Sequence, residues 1–144
     1  MKIEQDVIAA KLDIIERNLE FLDEFRGMNY EEFVGSYKNV QSAKYSLLEI
    51  IECCIDIASH IIAVKGMGRA EEYREMFCLL GEQNVIEKAL GERLGDMAGF
   101  RNLLVHRYGD VDNELVLAMI ESELGDVVEF ERGVVRYMDS EAGE

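Results

Sequence analysis

Phe100-Arg101-Asn102-Leu103-Leu104-Val105-His106-Arg107-Tyr108-Gly109 holds two arginines, a histidine and a tyrosine, and no acid. The chain around it carries 30 acidic against 15 basic side chains, a formal net charge of −15, so this window opposes its surroundings. A local basic patch in an acidic protein points to an anionic ligand bound at that place. The residues running into the window, Val85, Leu90, Leu94, Met97 and Ala98, keep helical spacing, and Gly109 ends the segment. The residues that carry chemistry therefore sit on the closing turns of a helix.

On an unbroken helix Arg101 and Tyr108 are seven residues apart and share a face, as do Asn102 and His106 at i, i+4. Arg101 and His106 then diverge by about 140°. Either the helix loosens before Gly109, or a second copy of the chain completes the site across a two-fold axis. His106 suits proton transfer, because an imidazole titrates near neutral pH. Arg101 suits charge stabilisation, since a guanidinium forks onto two phosphate oxygens and keeps its charge. Asn102 is placed to orient the ring, and Arg107 adds a second positive charge. The structural alternative is a buried, hydrogen-bonded His106 with Arg101 paired to an acid such as Asp96 or Asp112. No His-x3-His, Glu-x2-His or Cys-x2-Cys pair supports a metal site, and neither a phosphate-binding glycine loop nor a Gly-x-Ser-x-Gly elbow is present.

The pattern Arg101, four residues, His106, one residue, Tyr108, preceded by Gly99-Phe100-Arg101-Asn102, resembles the signature of the HEPN superfamily, specifically its HepT-like ribonuclease toxins. Chain length, helical layout and the position of the motif three-quarters of the way along agree with it. The resemblance implies an all-α bundle of four to five helices, one domain over residues 1–144, packed as a two-fold dimer whose motif lines a cleft between protomers. It implies a metal-independent endoribonuclease toxin with no cofactor, acting on RNA and not on DNA or a membrane. It also implies a nucleotidyltransferase antitoxin that transfers AMP to the motif tyrosine, which is Tyr108 here. The alternative from another class is a non-catalytic helical module that uses the same cleft to bind a nucleotide or the nucleotidyltransferase itself.

The rest of the sequence fits a helical domain. With 49% hydrophobic and 31% charged residues the chain reads as soluble and globular. Three cysteines without metal spacing (Cys53, Cys54, Cys78), and no basic-then-apolar opening, lead us to expect a cytoplasmic protein with reduced thiols. Zero prolines and repeated 3.6-residue periodicity point to helices throughout. The net charge repels nucleic acid and anionic membranes at long range, so any RNA contact is local.

In chain order, we expect a helix from Ile3 to Phe25, a break at Gly27-Met28-Asn29, a short turn at Tyr30–Phe33, and a long helix from Ser36 to Lys65 stopped by Gly66 and Gly68. Its stretch Leu47 to Val64 is apolar almost all round, which places it centrally and leaves an apolar excess for a second copy to cover. A membrane-spanning reading fails on Glu49, Glu52, Asp56 and His60. Glu49, Cys53, Asp56 and His60 share one face. They form either a seam with an Asp56–His60 contact, or the border of a dimer cleft. The acid-free run from Gly35 to Leu48 offers Lys38 and Lys44, with Tyr37 and Tyr45, as a path for phosphates. A third helix is expected from Arg69 to Leu80, ended by Gly81, and a fourth from an Asn84 N-cap, with Gly91, Gly95 and Gly99 admitting a close neighbour. The last helix, capped by Asp110 or Asp112, keeps inward apolar positions from Leu117 to Met138 with Glu131 as the exception, and the tail Asp139 to Glu144 is expected to fray.

Overall fold

The computed structural model describes residues 2–107 and 112–142. Among these the chain is all-helical: α1 (Gln5–Leu22), α2 (Tyr30–Val34), α3 (Tyr37–Val64), α4 (Tyr73–Glu82), α5 (Lys88–His106), α6 (Asn113–Ser122) and α7 (Leu124–Ala142). A single 3-10 turn, Asp23–Phe25, follows α1. Seven helices replace the expected four to five. The short turn after Asn29 is a helix in its own right, and the expected last helix is two. The split falls where the Ser122 hydroxyl bonds back to the Ala118 carbonyl at 2.7 Å and the chain turns at Glu123, a side-chain bond that competes with helix continuation.

The long helix α3 is the axis of the bundle and packs against α1, α2, α4, α5 and α6. Ser36 caps it, accepting from the Asn39 backbone N–H at 3.2 Å. Its end is a Schellman motif: Gly66 takes φ +60°, Met67 N–H donates to Ile62 O at 3.0 Å, and Gly66 N–H to Ala63 O at 3.4 Å. Ile50, Ile51, Ile55, Ile57, Ile61 and Ile62 of this helix are all buried inside the one chain. The expected apolar excess on Leu47 to Val64 is therefore covered by the chain's own neighbours. No helix of the described residues is long and apolar enough to cross a membrane.

α4 and α5 lie closest together, and glycine is the reason. A Cβ on Gly91 would sit 2.6 Å from the Phe77 carbonyl oxygen, and one on Gly95 would sit 3.1 Å from Arg74 Cγ. Gly99 has open space instead, so the close approach uses two of the three glycines. Gly81 lies within α4 rather than ending it. Asn84 is not an N-cap; it occupies the left-handed region with φ 61°, and α5 begins at Lys88. The third helix starts at Tyr73 rather than Arg69, because the Glu75 carboxylate reaches back to the Glu71 backbone N–H at 3.1 Å and fixes the first turn there. Asp112 caps α6, accepting from Glu114 N at 2.9 Å; the alternative cap, Asp110, lies outside the described residues. The expected fraying of the tail is not seen up to Ala142, where a Lys65–Glu141 ion pair ties α7 to the end of α3.

Candidate active site

α5 delivers the motif. Its helix is continuous through His106, with Arg107 as C-cap and Arg107 N–H bonded to Leu103 O at 2.9 Å. The helix therefore does not loosen between the two motif residues, and the side chains of Arg101 and His106 leave it about 140° and about 7.5 Å of rise apart. Within one chain they do not converge.

Arg101 is held on three sides. Its Nε donates to Glu52 Oε1 of α3 at 2.7 Å, its guanidinium carbon lies 5.5 Å from the centre of the Tyr73 ring of α4, and its Nη1 approaches Asn102 Oδ1 at 3.4 Å. The hydrogen bond to Glu52, ahead of the neighbouring charges, raises its pKa above the ordinary arginine value. With Nε bonded to Glu52, Nη1 to Asn102 and one face covered by an aromatic ring, the Nη2 edge remains for a ligand among the described residues. The side chain is 23% exposed, enough for that edge to meet an anion. Arg101 is thus paired to an acid, as the structural alternative has it, but the acid is Glu52: Asp96 is paired with Arg74 at 2.6 Å, and Asp112 caps α6.

His106, Asn102 and Arg107 are all exposed at the end of α5. His106 is not the buried, hydrogen-bonded histidine of the structural alternative. Asn102 approaches Arg101 rather than the imidazole. Leu103 and Val105, between them, are 42% and 40% exposed, and Leu115 of α6 is 44% exposed. Leu103 and Leu115, together with Met97, Phe100 and Met119, line a groove of about 340 Å³ directly beside the motif. Tyr108 lies outside the described residues.

The face of α3 that carries Asp56 and His60 is a seam to α1. Asp56 pairs with Lys11 at 2.8 Å, His60 Nε2 accepts from the Glu4 backbone N–H at 3.2 Å, and Glu49 accepts from Asn18 Nδ2 at 2.7 Å. Asp56 and His60 thus bond to α1 and to the residue before it, not to each other. Lys44 is buried and engaged within the chain, which removes it from any solvent path for phosphates. Tyr37 and Tyr45 of the same run are 78% and 60% exposed. Among the described residues no group of three His, Cys, Asp or Glu side chains is arranged to hold a metal ion.

Two residues at this site escape sequence reasoning: Glu52 and Tyr73. Glu52 is the one acid of α3 turned toward α5, and only its place off the Glu49–Asp56–His60 line hints at a different partner.

Comparison with known proteins agrees with the motif. A family model described as ribonuclease HepT-like matches residues 15–133. The mRNA nuclease HepT of Shewanella oneidensis is 30% identical over 125 residues, covering 87% of this chain and 93% of that protein. The tRNA nuclease HepT of Aphanizomenon flos-aquae is 27% identical over 136 residues, covering 94% and 92%. A crystal structure of the tri-AMPylated Shewanella oneidensis HEPN toxin in complex with its MNT antitoxin superposes with a TM-score of 0.82 at 28% identity, covering 91% of this chain and 98% of that one. A family match across most of the helical bundle, motif helix included, means that the chain belongs to the ribonuclease HepT-like family.

Proposed function

We propose that this chain is a single-domain endoribonuclease toxin, acting in the cytoplasm as a homodimer, and that a nucleotidyltransferase antitoxin silences it by AMPylating Tyr108. The observation that carries the reading is the guanidinium of Arg101, oriented by Glu52, Asn102 and Tyr73 with its Nη2 edge left open, on the same helix end as an exposed His106. The family and the nuclease names of its relatives support the substrate class.

RNA supplies its own nucleophile. The 2′-hydroxyl attacks the adjacent phosphorus once a base takes its proton, charge gathers on the phosphoryl oxygens, and the 5′-oxygen leaves as it is protonated. Arg101 neutralises the gathering charge. His106 transfers protons, and two copies in a dimer divide the base and acid roles. Asn102 and Arg107 support phosphate binding from either side. Cleavage is expected to proceed in EDTA; activity lost with the chelator and restored by magnesium would contradict this chemistry.

The dimer follows from the divergence of Arg101 and His106 on a continuous helix, and from the Leu103–Val105–Leu115 surface beside them. Light scattering at micromolar concentration is expected to give twice the chain mass. Leu103→Glu with Val105→Glu is expected to give the monomer and to abolish cleavage while the helical content stays. A wild-type monomer would remove the composite site.

Regulation rests on the motif tyrosine. The antitoxin of the solved HEPN complex accompanies a toxin that carries AMP. Here the Tyr108 phenol would attack the α-phosphorus of ATP, with pyrophosphate leaving, so that a phosphodiester sits beside Arg101, Arg107 and His106 where RNA phosphate would bind. Co-expression with the cognate nucleotidyltransferase is expected to add one or more AMP units to Tyr108 and to stop cleavage, and Tyr108→Phe is expected to escape both. An adduct mapped instead to Tyr30, Tyr37, Tyr45, Tyr73 or Tyr137 would overturn this half of the reading.

A further inference from the structure

The two most exposed large apolar side chains among the described residues are Tyr37 and Tyr45, 78% and 60% exposed, and both stand on the first half of α3. Rings this bare are not packing groups of the bundle, and tyrosine is enriched where a surface meets a partner. The two are eight residues apart, about 12 Å along the axis and within about 80° of each other around it. The Tyr37 ring is steadied by its own helix, its hydroxyl accepting from Gln41 Nε2 at 2.8 Å one turn on.

Charge sets this half of α3 apart as well. Residues 33–48 form the longest stretch of the chain without an acid, in a protein of net charge −15, and Lys38 is exposed between the tyrosines. Tyr45 precedes Glu52 by seven residues, two turns and about 10 Å, so both lie on one side of α3. Glu52 is the residue that holds Arg101 Nε at 2.7 Å. The acid between them, Glu49, is turned to Asn18 of α1. The tyrosines therefore make an aromatic, acid-free approach to the guanidinium of the motif.

A neutral ring does not hold a phosphate; what it offers a nucleic acid is a face. Every base has a π-face of its own, and stacking on an aromatic side chain tolerates any sequence. A base presents that face only when it is unpaired, because a duplex keeps it inside the stack and shows proteins its backbone and groove edges. Stacking also remains open to a strongly acidic protein, since it does not depend on the long-range field that repels the strand.

We propose that Tyr45 and Tyr37 form a stacking platform for two unpaired bases of the strand whose phosphate Arg101 holds, which makes the substrate single-stranded RNA; the proposal rests on the nuclease reading of the motif. The rings are about 12 Å apart along α3, against about 3.4 Å between stacked bases. The strand therefore crosses the platform with its bases splayed. Tyr45 takes the base nearer the scissile phosphate, Tyr37 takes one beyond it, and Lys38 meets the backbone between them.

Fluorescence anisotropy of an end-labelled RNA of about twelve nucleotides tests this, with His106→Ala as the uncleaving parent and the same strand annealed to its complement as the duplex control. The single strand is expected to bind about tenfold or more tighter than the duplex. Adding Tyr45→Ala is expected to weaken single-strand binding about five- to hundredfold and to leave its salt dependence unchanged, because no charge is lost, while Tyr45→Phe keeps the ring and the affinity. Equal affinity for the duplex, undiminished binding by Tyr45→Ala, or a loss with Tyr45→Phe as large as with alanine would each overturn the proposal. So would a dimer that Tyr45→Ala splits in light scattering, which would make this face an interface between copies, or a Tyr45→Ala chain that loses the nucleotidyltransferase and keeps the RNA. The nuclease reading is scored separately, by cleavage with His106 in place. Cleavage that Tyr45→Ala slows through KM supports both. A kcat/KM that Tyr45→Ala does not change removes the platform alone, and a protein that binds the strand through Tyr45 without cutting it removes the nuclease reading and leaves the platform.

Discussion

Arg101→Ala and His106→Ala are each expected to lower RNA cleavage by about 10² to 10⁴, the usual cost of losing a charge clamp or a proton-transfer group. The stability consequences differ. His106 is exposed at a helix end, so its truncation is expected to leave the melting transition within about 0.5 kcal/mol of wild type. Arg101 leaves behind Glu52, a half-exposed partner, and its loss is expected to cost about 1 kcal/mol. Glu52→Gln separates orientation from charge. It keeps an acceptor for Nε but removes the anion that holds the guanidinium. We expect a loss of about tenfold, falling on kcat more than on KM, as suits a positioning residue. Gel-resolved cleavage of a labelled RNA, with circular dichroism melts of the same preparations, measures all three. Undiminished cleavage by His106→Ala would end the proposed mechanism.

What the sequence made legible was local. Gly66 stops α3 and Asp112 caps α6, each through bonds to residues close by in the chain, as their residue types predict. The run of glycines at four-residue spacing announced a close helix neighbour, and α4 fills that place at Gly91 and Gly95. The pieces that stayed hidden are long-range. Glu52 and Arg101 are 49 residues apart, and their pairing depends on how α3 and α5 rotate against each other, which periodicity does not encode. The same holds for Asp56 and His60. Their shared face was readable, but not that Lys11 and the Glu4 backbone would meet them there. Lys44 shows the converse error: a lysine in an acid-free run looks solvating until the packing of α3 buries it.

Glu131 was visible in the sequence as the one acid on the inward face of the last helix, and it is expected to make the protein less stable as pH rises. An unfolded glutamate titrates near 4.3, whereas burial and the hydrogen bond with Glu16 hold the folded carboxyl up to about 8. The folded state thus keeps a proton that the unfolded state has released across that interval. Stability contributed by the protonated form is fully present below the unfolded value, declines through the interval, and is gone above the folded one. The ceiling set by the shift is several kcal/mol, and relaxation or water entry beside the carboxyl reduces it, so about 2–4 kcal/mol is expected between pH 5 and pH 8.5. Other carboxylates, and the self-repulsion of a −15 chain, also titrate over this range, so the wild-type slope alone does not isolate Glu131. The difference between wild type and Glu131→Gln does. The amide is neutral throughout and can still donate to Glu16, so the two proteins should be nearly equal in urea unfolding near pH 5 and diverge in favour of the variant above pH 7. A constant difference across the range would mean that Glu131 is already ionised in the folded chain.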